Sequence, residues 1–136
     1  QSRRRIFLIT GDGELAEGSN WEAALAAAHY GLDNLVIIND KNNLQLAGPT
    51  REIMNTDPLA EKWLAFGMQV TECQGNDMAS VVATLEELKQ EGKPNVVIAH
   101  TTKGAGISFI QGRAEWHHRV PKGDEIEQAL EELKDA

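Results

Sequence analysis

Four apolar runs of strand length recur along the chain: RIFLIT (5–10), NLVIIN (34–39), MQVTEC (68–73) and NVVIAHT (95–101). The first, second and fourth are nearly continuous rather than alternating, which is the pattern of strands buried on both faces of a parallel sheet. Helical patterns lie between them. Segment 20–31 is rich in alanine, with Ser19 and Glu22 at capping-box spacing and Gly31 at its end. Segment 57–67 puts Asp57 at the N-cap, Pro58 at the first helical position and Gly67 at the stop. Segment 77–92 has Asp77 as cap and Gly92 as terminator, and its Leu, Val and Ala stripe should face the core. Segment 124–135, polar on most faces, closes the chain. Strand alternating with helix predicts right-handed βαβ units and an α/β fold, a three-layer α/β/α sandwich with a mostly parallel sheet. Residues 40–56 and 103–122 read as irregular loops, and loops of that length are usually functional or mobile.

The 136 residues are expected to form one domain, 1–136, with 41% apolar content to fill a core. No run approaches the roughly 20 apolar residues that cross a bilayer, and the run after QSRRR is too short for a signal-peptide core, so no membrane partner is expected. The net charge of −8 argues against a nucleic-acid partner, which would need clustered Lys and Arg. Cys73 is the lone cysteine, which excludes an internal disulfide framework and fits a reducing cytoplasm.

The first strand runs into GDGELAEG, residues 11–18. Glycine-rich loops of this kind let backbone N–H groups approach phosphate, and GDGELA fits the loose dinucleotide pattern G-x-G-x-x-A. Asp12 would repel a pyrophosphate there unless a cation stood between them. Asp12 sits at the C-terminal end of the first strand, and NDKNN (39–43) at that of the second. Parallel neighbours put both tips on one edge of the sheet, where open α/β folds bind ligands. Asp12 and either Asn42 or Asn43 can therefore converge. An aspartate, an asparagine amide and a backbone carbonyl form an oxygen set suited to Mg²⁺, with Ca²⁺ as the other candidate, and Mg²⁺ commonly completes its shell with phosphate oxygens. Gly13 and the helix N-terminus near residue 20 would offer N–H groups to the same phosphates. A plain Asp-Gly turn is the alternative for Asp12, and one of the two asparagines is expected in a left-handed turn conformation.

GDG followed by NN, within GDGELAEGSNWEAALAAAHYGLDNLVIINDKNNLQLAGPTREI, resembles transketolase, in particular the N-terminal subunit of the split type. The resemblance continues through DPLAEKWLAFGMQVTECQGND, GKPNVVIAHTTKGAGISF and WHHRVP, nearly the whole chain. It implies thiamine diphosphate and Mg²⁺ as cofactors. It implies Asp12 and Asn42 as side-chain metal ligands, with Leu44 giving its carbonyl. Gly11, Asp12, Gly13, Glu14, Asn42 and His117 would surround the cofactor, with His117 catalytic near the diphosphate and the reacting carbon. Glu17 would lie at a subunit interface linking paired active sites. The implied reaction moves a two-carbon ketol unit from a ketose phosphate to an aldose phosphate, the hard chemistry being the cofactor's.

Transketolases carry further sequence before the GDG loop and a separate pyrimidine-binding domain. A partner supplying the pyrimidine-binding domain, or the remainder of a transketolase, is therefore expected, as a homo- or hetero-oligomer. Alone, the chain is expected to be inactive, to bind cofactor weakly, and to leave the edge of its first strand open. Other readings are a 2-oxo-acid dehydrogenase E1 component, to which NLQLAGPTR has some likeness, a non-catalytic interaction domain, and a metal-free dinucleotide binder. Glu22 is expected as a cap, His29 as structural, His118 as exposed, and Trp21, Trp63 and Cys73 as packing residues. His100 and Lys103 lie near the ligand edge without an assigned role.

Overall fold

The computed structural model describes residues 4–46 and 48–134. In chain order its elements are β1 (Ile6–Gly11), α1 (Gly18–His29), β2 (Leu35–Lys41), β3 (Leu44–Gln45), β4 (Gly48–Pro49), α2 (Thr50–Ile53), α3 (Leu59–Ala65), β5 (Gln69–Gln74), α4 (Met78–Glu87), β6 (Asn95–His100) and α5 (Asp124–Glu132). The four long strands form one parallel sheet in the order β1-β2-β6-β5. The predicted α/β sandwich is what forms.

Alternate side chains of the central strands leave on opposite faces, and both faces are covered. Ile37, Val96 and Ile98 pack with Ala24 and Ala27 of α1 and with Leu59 and Trp63 of α3. Val36, Val97, Ala99 and Cys73 pack with Val81 and Leu85 of α4 and with Leu88 just beyond it. Two covered faces are why β2 and β6 read as unbroken apolar runs.

β1 departs from the reading of burial on both faces and matches the expectation of an open first-strand edge. It is an edge strand, and Ile6, Phe7, Leu8 and Ile9 are 45–69% exposed. An apolar edge with open N–H and C=O groups is a template for pairing with another chain. Ile9→Lys is expected to lower concentration-dependent self-association in sedimentation velocity. A wild-type chain that stays monomeric at high concentration would remove the basis for this.

The helix termini correct several local expectations. α1 starts at Gly18, with Glu17 at its N-cap and no side-chain cap, so Ser19 and Glu22 lie inside the helix. The junction is held from the helix side instead: Asn20 Nδ2 donates to the Glu14 carbonyl and Trp21 Nε1 to the Leu15 carbonyl. α3 starts at Leu59 with Pro58, not Asp57, at the N-cap position, and the Asp57 carboxylate pairs with Lys41 Nζ at 2.7 Å. Asp77 does cap α4, accepting the Ala79 N–H at 3.0 Å. α4 nevertheless ends at Glu87, short of Gly92, because Arg5 donates to the Leu85 and Leu88 carbonyls and the chain turns extended at Leu88. α5 begins at Asp124 as expected, and the last position of the expected helix, 135, lies outside the described residues. The 40–56 segment is less irregular than expected, since it holds the β3–β4 hairpin and α2. Asn43, with φ 61°, is the left-handed asparagine. His29 is exposed, its ring edge-on to Tyr30, rather than buried. Among the described residues no helix is long and apolar enough to cross a membrane.

Candidate functional site

The sheet register brings the loop and the asparagines together. Thr10 is level with Asn39 and Gly11 with Asp40 on β1 and β2, and Lys41 is level with His100 on β6. The chain leaves Gly11 into a 3-10 turn at Glu14–Ala16, and the Glu14 carboxylate turns back to accept the Gly11 N–H at 2.7 Å. This tie closes the loop and points Asp12 inward.

Asp12 is 2% exposed. Its Oδ2 accepts the Asn43 N–H at 2.5 Å, and its Oδ1 is buried with no hydrogen-bond partner among the described residues. Asn42 Nδ2 donates to Asp40 Oδ2 at 3.1 Å, while its Oδ1 accepts the Leu44 N–H at 3.0 Å and keeps a second lone pair. Thr101 Oγ1 donates to the other Asp40 oxygen. Gly13 approaches β3 so closely that a Cβ on it would lie 3.3 Å from Gln45 Cβ. Glycine therefore opens this wall.

A cavity of about 450 Å³ sits over this arrangement. Every residue expected at the site lines it: Gly11, Asp12, Gly13, Glu14, Glu17, Asn42, Leu44 and His117. The lining also includes Asp40, Gln45, Leu46 and Lys103. Lys103 had no role assigned from the sequence. The signal was there, for it follows the end of β6 on the same edge of the sheet as Asp12. A second cavity of about 490 Å³ lies further along that edge, against Gln74, Asn76, His100 and Thr102. The first holds the unpartnered carboxylate oxygen, and it is where the chemistry converges.

The charge balance of the wall is acidic. Asp12, Glu14, Glu17 and Asp40 face the cavity, with Lys103 as the lysine opposite them. Burial pushes the Asp12 carboxyl above the usual carboxylate range, and Asp40 adds to the rise. The Asn43 and Asn42 N–H groups and the Lys41 ammonium oppose it only in part. His117 Nδ1 lies 3.4 Å from Lys103 Nζ. Desolvation, Lys103 and His118 hold the His117 imidazole below its ordinary value, which favours its neutral form.

Among the described residues no group of three His, Cys, Asp or Glu side chains forms a metal centre. A cation here would rest on one carboxylate, one amide oxygen and carbonyl or ligand oxygens. That donor set is hard and suits Mg²⁺ or Ca²⁺. The open Oδ1 of Asp12 fits such an ion, which would offset the charge that burial penalises.

The described geometry has counterparts in known proteins. Residues 2–134 match the family model described as transketolase, thiamine diphosphate binding domain. The chain is 73% identical over 134 residues to an apulose-4-phosphate transketolase subunit of Actinobacillus succinogenes, covering 98% of the chain and 49% of that protein. It is 42% identical over 132 residues to the protein of the same name in Phocaeicola vulgatus, covering 96% of the chain and 47% of the relative. The chain thus spans about half the length of these curated relatives. The crystal structure of Campylobacter jejuni transketolase superimposes with a TM-score of 0.85 at 32% identity, over 94% of this chain and 20% of that one. A Pichia stipitis transketolase variant in complex with fructose 6-phosphate superimposes with a TM-score of 0.83 at 30% identity, over 92% of this chain and 19% of that one.

Proposed function

Because the chain belongs to the transketolase family, through its thiamine diphosphate-binding domain, we propose that it forms the diphosphate and metal half of a transketolase. In this reading the assembled enzyme moves a two-carbon ketol unit from a ketose phosphate to an aldose phosphate. The observation that carries it is the buried, unpartnered Oδ1 of Asp12 beside Asn42, Leu44, Gly13 and His117 in one cavity.

Asp12 and Asn42 would hold Mg²⁺ by their side chains and Leu44 by its carbonyl. The Gly13 N–H would meet the diphosphate. Lys103 would balance the diphosphate charge that Asp12, Glu14, Glu17 and Asp40 oppose. Thiamine diphosphate, when bound, supplies the nucleophile and electron sink for cleaving a sugar beside its carbonyl. His117, neutral at Nδ1 or Nε2, can then accept or give a proton at the cavity mouth. Gly11 and Glu14 act by shaping the loop, since the Gly11 N–H is already engaged by the Glu14 carboxylate.

A second polypeptide carrying the pyrimidine-binding domain would complete the site, in a homo- or hetero-oligomer, and Glu17 on the rim would sit at the contact between paired subunits. The reaction would run in the cytoplasm on sugar phosphates. Apulose 4-phosphate is the first donor to test, because a relative with 73% identity carries it in its name.

The test is reconstitution with the partner polypeptide, followed by an assay of ketol transfer with and without Mg²⁺ and thiamine diphosphate. Transfer should require both. His117→Ala should lower kcat/KM by about 100-fold, the range of a lost general acid–base group. Decarboxylation of oxo acids in place of ketol transfer would overturn the proposal and favour the E1 reading.

A further inference from the structure

The loop that carries Lys103 and His117 is tied down by a helix that plays no part in the cavity. Gly104, at φ +68°, lets Ile110 fold back so closely that a Cβ would meet its Cγ2 at 2.4 Å. Beyond it, Phe109 meets Trp116 edge-on with ring centroids 5.3 Å apart, and Trp116, next to His117, is buried. α5 grips this loop at both of its ends. From its last turn, Glu132 accepts the Ser108 N–H at 2.5 Å and the Ser108 hydroxyl at 2.7 Å. Gln128 Nε2 donates to the same carboxylate at 2.8 Å. From its first turn, Glu125 accepts from Arg119 and from the Lys122 N–H. The Arg119 guanidinium in turn lies 4.2 Å over the Trp116 ring. Just past the helix end, Leu133 packs against Gly106, where a Cβ would come within 3.2 Å of Cδ2.

We propose that α5 is a splint for the 103–119 loop, with Glu132 and Glu125 as positioning residues that set Lys103 and His117 at the cavity mouth. The two carboxylates are about 10 Å apart along the helix axis, so they bracket the Phe109–Trp116 contact rather than pin one point. The Glu132 carboxyl is held below its ordinary value, first by the Ser108 N–H, then by Gln128 and the Ser108 hydroxyl. A charged acceptor makes this the stronger kind of hydrogen bond. The role assigned to Lys103 and His117 rests on the transketolase reading, while the mechanical tie does not.

The experiment uses the full chain with Glu125→Ala and Glu132→Ala combined. Hydrogen exchange at residues 104–119 is expected to speed up at least about 10-fold, with β6 and α1 unchanged, since the lost contacts are local. By NMR, the His117 titration midpoint is expected to rise toward its ordinary value of about 6.5 as the loosened loop returns the ring to water and moves it away from Lys103. With Glu125→Ala kept, Glu132→Gln, which retains one acceptor oxygen for Ser108, should restore part of both. An unchanged His117 titration overturns the splint, whatever the exchange shows. If the double variant fails to fold, Ser108→Ala with Arg119→Met removes the hydroxyl and guanidinium ties from the loop side while the Ser108 N–H still donates to Glu132, and a smaller change in the same direction is expected. Cofactor affinity of the assembled enzyme is measured beside Lys103→Ala. Unchanged affinity in that variant counts against the cofactor reading of the loop, and the His117 titration still judges the splint.

Discussion

Asp12→Asn is expected to abolish the Mg²⁺ dependence of thiamine diphosphate binding while leaving the cofactor-free chain no less stable than wild type. The two effects share one cause. Asp12 is nearly fully buried, one oxygen is satisfied by the Asn43 N–H and the other has no partner among the described residues. Without a cation, folding buries a charge that burial disfavours. The carboxyl is held above its unfolded value, so its contribution to stability is best below that value and is lost as pH rises through the folded one. At neutral pH the ionised side chain is therefore a liability of the cation-free chain. The asparagine variant would keep the shape and the Asn43 N–H acceptor and remove the charge, though its Nδ2 takes the unpartnered position, so the gain should be modest, about 1 kcal/mol.

With cation and cofactor present the sign reverses. The carboxylate is then the one full negative charge among the protein's proposed metal ligands, and losing it should weaken cofactor binding by about 100-fold or more, roughly 3 kcal/mol. Calorimetry with the assembled enzyme reads the affinity, and thermal unfolding in a chelator reads the stability. A variant that is clearly less stable in chelator, or that still binds cofactor in a Mg²⁺-dependent way, would show that Asp12 is an ordinary structural turn residue.

Trp63→Ala should cost about 3–5 kcal/mol, the range for emptying a large aromatic site. Trp63 is 2% exposed and packs among Leu15, Ala24, Ala27 and Ile37. Its ring centroid is 4.8 Å from that of Trp21, which also meets Phe66 at 5.3 Å. Against a typical stability of about 5–15 kcal/mol, such a loss puts the fold at risk. Trp63→Phe should cost less than half as much. Trp63 Nε1 is buried without a partner among the described residues, so the phenyl ring forfeits volume but no hydrogen bond. Urea denaturation checks both, as a shift of midpoint at constant slope. A loss below about 1 kcal/mol for the alanine variant would mean that the site collapses around the gap. Leu15 lies in the turn just after Gly13, so the same cavity would also loosen the floor of the ligand loop.

How far these features could be read in advance varied with how local their causes are. The β2 and β6 runs were legible because both faces of each strand are covered, and continuous apolarity records that. β1 has the same signature and a different fate, because apolarity does not encode which strand lies at the edge. Asp77 was legible as a cap because the carboxylate reaches an N–H two residues away. Ser19 and Glu22 had equally good spacing, but Asn20 and Trp21 reach back into the preceding turn and hold the junction. The early end of α4 depends on Arg5, far away in the chain, and nothing near residues 85–88 announces it.

The alternation of strand and helix, the parallel sheet that follows from it, and a carboxylate lodged between glycines at a strand tip can all be read from residue order alone. Periodicity, glycine placement and one misplaced charge are written in neighbouring residues, so they survive without knowledge of the fold. It took the folded arrangement to bring Lys103 and His117 to the cavity of Asp12, to leave the Oδ1 of Asp12 without a partner among the described residues, and to let α5 grip the loop between them. Those outcomes depend on strand register and on contacts between distant segments, where one oxygen finds a donor and the next does not.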